Sequence, residues 1–240
     1  MIDVILITST KDGEKMKING AIFDMDGTLI DSLSFWDMTW ERFGTKYLGD
    51  SNFRPSLEDE KTMRTLAMSG SMELLHEKYG VGESAAILLD EINQMIVDFY
   101  SGVVELKDGV AEFLEACYNR GIKMCVASAT ELRFLEIVIK RFSLEKYFET
   151  IVSCGDIGRG KEHPDVFIAA HQYLGTPKDS TWIFEDSIVA LKTAAAAGFN
   201  TVGIYDKYTF DLDSVKETST VYIDKGESLV RLIPELETNK

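Results

Sequence analysis

Short apolar runs that end in polar loops alternate with helix-like stretches along most of the chain. Such runs are typical of parallel strands buried on both faces. They lie at Ile18–Phe23, Ile122–Ala127, Thr150–Ser153, Thr181–Phe184 and Thr201–Ile204. The helix-like stretches are Val110–Arg120, Glu131–Phe142, Asp165–Leu174 and Ile188–Ala197, with Gly121, Gly175 and Gly198 where helices would end. The alternation predicts an α/β fold, a parallel sheet built from βαβ units. The tail adds a predicted strand, Thr220–Ile223, and a helical stretch, Glu227–Leu232.

A helix-rich segment from Leu33 to Val104 interrupts this alternation. Its apolar residues recur at helical spacing, at Trp36, Trp40 and Phe43 and in the stretches 57–68 and 84–100. It is interpreted as an inserted helical domain, with hinges at 31–34 and 101–107. The core domain then comprises residues 16–32 and 105–240. Residues 1–15 are expected to be an N-terminal extension, since Met16 is an alternative start just before the first core strand.

The formal net charge of −15 at pH 7 argues against two classes of partner. An acidic chain repels nucleic-acid backbones and anionic lipid surfaces, so neither is expected as a partner. The opening run lacks the basic n-region of a signal peptide and no apolar run is long enough to span a membrane. The three cysteines form no paired motif and are expected to be reduced, buried and without a role; these are Cys117, Cys125 and Cys154. A cytoplasmic monomer or weak homo-oligomer is expected.

Two carboxylates, Asp24 and Asp26, follow the first predicted strand in the run Asp-Met-Asp-Gly-Thr. Ligands of open α/β sheets bind at the carboxyl ends of strands. One carboxylate there can coordinate a hard cation and attack phosphorus, while the second exchanges a proton with the leaving group and then with water. A calcium-binding loop is excluded because its sixth and twelfth positions would be Leu29 and Phe35. An acidic surface turn remains the alternative.

Two further loops supply groups that suit a phosphate. Ser128, with Ala129 after it, ends the second predicted strand, and its hydroxyl and the following amides could bind phosphate oxygens. A serine there also suits a helix N-cap, and the two roles are compatible. Lys161 lies in a loop before a helix that begins at Pro164, and it can neutralise a carboxylate and an incoming phosphate. His163 beside it is interpreted as a surface residue.

A second acidic pair, Glu185 and Asp186, ends the fourth predicted strand. Carboxylates at a strand end suit Mg²⁺, which also takes water and phosphate oxygens. Asp186 is the better ligand candidate. Glu185 either binds the metal directly or orients a metal-bound water, and the pair could instead complement a helix dipole.

Together these loops resemble the four motifs of the haloacid dehalogenase superfamily, in particular the β-phosphoglucomutase-like phosphatases with a small helical cap. The resemblance runs from Ile18 to about Ile204 and implies a Rossmann-like core with the helical segment as cap. It implies Asp24 as nucleophile and Asp26 as general acid and base, with Ser128 and Lys161 binding phosphate. The implied Mg²⁺ ligands are Asp24, Asp26 through its carbonyl, and Asp186.

Departures from the family's pattern refine the expected reaction. The dehalogenases lack a second carboxylate where Asp26 stands, so phosphoryl transfer from a small phosphomonoester is favoured. Mutases of the subgroup typically carry a cap histidine where this chain has Trp36, which favours a phosphatase over a sugar-phosphate mutase. Ala190 replaces the usual glycine after the fourth motif, a change expected to affect packing. A response-regulator-like signalling module is the remaining alternative, but such modules have no cap and carry their aspartate mid-chain.

Overall fold

The chain forms two compact units in the computed structural model, which describes residues 15–64 and 66–238. The sheet unit takes in the described residues up to Asp31 and from Glu105 onward, and the helical unit is Ser32–Val104. Residues 1–14 of the predicted N-terminal extension lie outside the described residues.

The strands of the sheet unit are β1 Met16–Lys17, β2 Gly20–Phe23, β3 Lys123–Ser128, β4 Thr150–Ser153, β5 Thr181–Glu185, β6 Asn200–Ile204, β7 Val221–Ile223 and β8 Leu236–Glu237. Six of them form a parallel sheet with the strand order β4-β3-β2-β5-β6-β7. The short strands β1 and β8 pair with each other in parallel. The predicted Rossmann-like parallel sheet is confirmed, and β2 holds a central position in it.

Both faces of the central strands are buried, which explains why their sequences read as unbroken apolar runs. Ile22 and Ile183 face a cluster that includes Phe167. Successive side chains of a strand point to opposite faces. Phe23 and Phe184 accordingly stack on the other face, with ring centroids 4.5 Å apart, and both contact Phe113. Helices therefore cover the sheet on both sides.

Ten α-helices are found among the described residues. They are α1 Phe35–Phe43, α2 Leu57–Met63, α3 Met68–Tyr79, α4 Ala85–Gly102, α5 Val110–Asn119, α6 Leu132–Arg141, α7 Cys154–Ile157, α8 Asp165–Leu174, α9 Ile188–Ala196 and α10 Leu212–Thr218. The four helices predicted between the strands are α5, α6, α8 and α9. Gly175 ends α8 in the left-handed conformation, as predicted for a helix-terminating glycine.

In the helical unit the helical stretch predicted at 57–68 is not one continuous helix. It contains α2, which ends at Met63, and the start of α3 at Met68. The buried Ser71 hydroxyl of α3 donates to the Met63 carbonyl at the end of α2 at 2.7 Å. A polar residue therefore occupies a buried position of α3, which interrupts the apolar pattern of that helix in the sequence. The second predicted hinge also begins too early, because α4 runs to Gly102.

The tail differs from the prediction in one element. The stretch 227–232, predicted to be helical, becomes a 3₁₀ helix at Leu229–Glu235. Pro234 within it lacks the N–H that an α-helix would use there. No helix among the described residues combines the length and apolar character needed to cross a membrane.

The segment that forms the helical unit leaves and re-enters the sheet unit at neighbouring positions. The Asp31 N–H donates to the Glu105 carbonyl at 2.9 Å. Ile30 and Leu106 next to them form an antiparallel bridge. The sheet unit's own chain is therefore nearly continuous across the insertion.

Candidate active site

Asp24 extends the ladder of β2 by one residue before the chain turns. Its N–H donates to the Phe184 carbonyl at 2.9 Å, which fixes its backbone against β5. The turn that follows contains Gly27 at φ +74°. A Cβ on Gly27 would lie 2.8 Å from the Asp186 carboxyl carbon, a distance that real Cβ atoms essentially never show. The acidic loop can thus approach Asp186 only because residue 27 is glycine.

Lys161 joins the first and last of the predicted acidic loops. Its Nζ lies 2.6 Å from Asp24 Oδ1 and also contacts Glu185 Oε1. Glu185 is fully buried, and its other carboxylate oxygen accepts the Ser187 N–H at 3.1 Å. An ammonium held by two buried carboxylates cannot swing into solvent at little cost. Three groups far apart in sequence are thereby fixed around one point.

The pKa values of Asp24, Glu185 and Lys161 are all raised, but the causes differ between the acids and the lysine. Burial raises the pKa of Asp24 to about 7, with the Lys161 ammonium opposing and the Glu185 and Asp26 charges adding to the rise. Burial also raises the pKa of Glu185. For Lys161 burial alone would lower the pKa, but the charges of Asp24 and Glu185 outweigh it and the pKa is raised. Lys161 therefore stays charged at neutral pH.

The carboxylates of Asp24, Glu185 and Asp186 form a candidate cation site. Each offers one oxygen, and these oxygens lie within 4.8 Å of one another. Burial raises the pKa of Asp186 to about 7, and the Asp24 charge adds to the rise. Above their raised pKa values these three buried acids carry more negative charge than the Lys161 ammonium in contact with Asp24 and Glu185 can neutralise, and their donor atoms are all oxygens. The donor set fits a hard divalent cation such as Mg²⁺.

Asp26 occupies a different environment from Asp24. It is only half-buried, and its Oδ2 accepts a hydrogen bond from the Thr130 hydroxyl at 2.8 Å. This bond joins the loop after β2 to the loop after β3. Asp24 and Asp26 therefore differ in their exposure to water and in their hydrogen-bond partners, as is expected of two carboxylates with different tasks.

Ser128 is buried at the end of β3, and Ala129 after it is exposed. The alternative interpretation of Ser128 as a helix N-cap is wrong: α6 begins at Leu132 and its N-cap residue is Glu131. Instead the Ser128 hydroxyl accepts the Thr130 N–H at 3.2 Å, which closes a tight turn. Through Thr130 this turn connects to Asp26.

The residues without an assigned role lie as predicted. His163 is exposed on the loop after Lys161. All three cysteines are free and buried. Burial raises the pKa of Cys117 to about 12 and that of Cys154 to about 11, so these thiols stay neutral.

Threonines that contact the predicted acids escaped the sequence analysis. Thr130 contacts Asp26, as described above. Thr209, in the loop after β6, donates to Asp186 Oδ2 at 2.7 Å, and Thr28 makes a longer contact of 3.4 Å with Asp186 Oδ1. The only available signal was the position of each after a predicted strand, in loops that reach the same edge of the sheet as the acids.

The fold and the arrangement of acids and lysine at one sheet edge define a class of protein. The chain matches the family model of haloacid dehalogenase-like hydrolases over residues 21–204, and it belongs to that family.

Individual relatives cover nearly the whole chain. It is 30% identical to protein CbbY of Rhodobacter capsulatus, over 92% of this chain and 100% of the relative. It is 24% identical to a phosphorylated carbohydrates phosphatase of Thermotoga maritima, over 91% of this chain and 100% of that protein. Its fold is similar to the crystal structure of CbbY from Rhodobacter sphaeroides in complex with phosphate, with a TM-score of 0.68 and 21% identity, covering 81% of this chain and 89% of that one.

Proposed function

We propose that this protein is a Mg²⁺-dependent phosphatase that hydrolyses a small phosphomonoester through an aspartyl-phosphate on Asp24. The observation that carries the proposal is the buried contact of the Lys161 ammonium with Asp24, one of three clustered carboxylates. An anionic phosphate could not approach so acidic a chain without such local positive charge. Membership of a hydrolase family supports the reaction type.

In the proposed mechanism Asp24 attacks phosphorus in line with the leaving group. A bond forms between an Asp24 carboxylate oxygen and phosphorus while the bond from phosphorus to the ester oxygen breaks. Asp26 gives its proton to the departing alkoxide. It then takes a proton from a water molecule whose oxygen attacks phosphorus, the bond to Asp24 breaks, and inorganic phosphate is released.

The remaining site residues are proposed to bind the phosphoryl group and Mg²⁺ and to neutralise charge. Lys161, the Ser128 hydroxyl and the Ala129 amide are proposed to hold the phosphoryl oxygens. Asp24, the Asp26 carbonyl and Asp186 would hold Mg²⁺, which supplies positive charge against the charge that develops on the phosphoryl group. Glu185, already engaged with Lys161, is proposed to orient that ammonium.

We further propose sugar phosphates as the substrate class and the helical unit as a cap that selects the leaving group. The name of the Thermotoga maritima relative supports phosphorylated carbohydrates as candidates. Trp36, which replaces the histidine expected in a mutase, favours release of phosphate over its return to the sugar.

A substrate screen tests this function. Sugar phosphates, nucleotides and small phosphoesters are incubated with the protein, with and without Mg²⁺. We expect Mg²⁺-dependent release of inorganic phosphate, strongest on sugar phosphates. Isomerised sugar phosphate without phosphate release would establish a mutase instead, and undiminished hydrolysis in chelator would overturn the proposed mechanism.

Asp26→Asn should lower kcat about 10²- to 10⁴-fold, because proton transfer to the leaving alkoxide and from water is lost. With p-nitrophenyl phosphate, whose leaving group needs no proton, the variant should accumulate phosphorylated protein detectable by intact mass. Asp213→Asn, at an exposed position on α10, is the matched control and should turn over normally. Equal rates in the two variants would contradict a proton-transfer role for Asp26.

Mg²⁺ should stabilise the protein more at pH 8 than at pH 5.5. Asp24 and Asp186 have pKa values raised from 3.8 to about 7, so the metal-free folded state holds more protons than the unfolded state between these values. Their contribution to stability is therefore present at low pH and lost as the pH rises through about 7. Mg²⁺ must displace those protons, and its apparent Kd should be at least about tenfold weaker at pH 5.5. Thermal unfolding with and without Mg²⁺ measures the difference, and equal stabilisation at both pH values would contradict it.

A further inference from the structure

The loop after β6 forms a tight turn that belongs to no recognised motif of this chain. Asp206 closes it twice: its Oδ1 accepts the Tyr208 N–H at 2.9 Å, and its carbonyl accepts the Thr209 N–H at 3.1 Å. Asp206 itself is buried. The turn therefore presents Thr209 in a fixed backbone position.

Lys107 fixes this turn to the rest of the sheet unit. Its Nζ lies 2.7 Å from Asp206 Oδ2 and donates to the Tyr205 carbonyl at 3.0 Å. The two charged side chains are 17% and 3% exposed, so the pair is shielded from water and hard to break. The Lys107 N–H donates in turn to the Leu29 carbonyl at 3.0 Å, on the loop that carries Asp26.

The Thr209 hydroxyl is the group that this arrangement delivers to the site. It donates to Asp186 Oδ2 at 2.7 Å, whereas the contact that Thr28 makes with Oδ1 is longer, at 3.4 Å. A carboxylate held through one oxygen cannot rotate freely. Because Lys107 and Asp206 neutralise each other, the turn brings Asp186 a neutral donor instead of a positive charge that would compete with a cation.

We propose that Thr209 is a positioning residue for the cation site, and that the Lys107–Asp206 ion pair holds Thr209 in place. The inference rests on the proposed function, since it takes Asp186 as a Mg²⁺ ligand. Thr209 fixes Oδ2 and so directs Oδ1 toward the cation. Groups that orient a metal ligand in this way typically contribute about 10- to 100-fold to metal affinity.

The test is a calorimetric titration of the substrate-free full-length protein with Mg²⁺ at pH 8. Thr209→Val keeps the shape of the side chain and removes its donor, whereas Thr209→Ser keeps the hydroxyl. We expect the valine variant to bind Mg²⁺ about 10- to 100-fold more weakly and the serine variant to bind within about threefold of the wild type. Equal affinity of the valine variant and the wild type would overturn the inference.

Two further variants distinguish a failure of this inference from a failure of the proposed function. Asp186→Asn should lose measurable Mg²⁺ binding; if it binds like the wild type, or if the wild type does not bind, the metal site itself is wrong. Lys107→Met combined with Asp206→Asn removes both charges of the pair without leaving one buried alone, and it tests the support of Thr209 even if Thr209→Val fails to fold. A tenfold or greater loss of affinity in this double variant supports the inference, and unchanged affinity overturns it.

Discussion

Asp24→Asn should reduce kcat by roughly 10⁴- to 10⁶-fold, the loss typical when a covalent nucleophile is removed. The amide keeps the size of the side chain but can neither attack phosphorus nor contribute an anionic oxygen to Mg²⁺. The backbone N–H of residue 24 would still donate to Phe184, so the strand end should keep its position.

Two measurements make this prediction specific. The wild type should become phosphorylated at Asp24 when a reaction is quenched in acid, and peptide mass spectrometry should locate the phosphoryl group there. The Asp24→Asn protein should show no such adduct, with Asp213→Asn again as the exposed control. Turnover of the Asp24→Asn protein within tenfold of the wild type, or a phosphoryl group at another residue, would remove Asp24 as the nucleophile.

Lys161→Met should destabilise the metal-free protein by about 3–5 kcal/mol at pH 8, the cost of removing one partner from a buried ion pair. Lys161 is the cation in contact with Asp24 and Glu185, whose side chains are 10% and 0% exposed. Without it both acids must stay buried unpaired or take up protons. The loss should therefore shrink toward pH 5, where protonation relieves the charge.

Urea unfolding at the two pH values measures this effect. Lys146→Met is the matched control: Lys146 pairs with Glu115 on the exposed surface, and its loss should change stability far less. Adding Glu185→Gln to Lys161→Met should recover part of the lost stability, because one unpaired buried charge is removed. If Lys161→Met unfolds no more easily than Lys146→Met, the buried contact does not exist in solution.

The sheet could be predicted because its strands are buried on both faces. Stretches such as 181–184 contain no polar face, so their apolar runs are visible without knowledge of the neighbours. The convergence of Asp24, Lys161 and Asp186 followed from the same fact, since parallel strands end at one edge of a sheet.

Features that depend on tertiary contacts could not be predicted. At the break between α2 and α3, the buried Ser71 hydroxyl donates to the Met63 carbonyl of the preceding helix, a tertiary contact that the sequence does not reveal. The contact of Thr209 with Asp186 likewise could not be predicted from the sequence. A threonine after a strand is unremarkable in sequence, and only the turn closed by Asp206 and Lys107 aims it at Asp186.

The paired positions where the chain leaves and rejoins the sheet unit have a consequence for building chimaeras. Since Asp31 and Glu105 are hydrogen bonded, everything between them is, topologically, one long hairpin loop. The entropy of closing a loop grows only slowly with its length. A donor segment of different length grafted between these two residues would therefore leave the path of the sheet unit's chain unaltered, and the leaving-group preference proposed for the helical unit would be transferred with the segment.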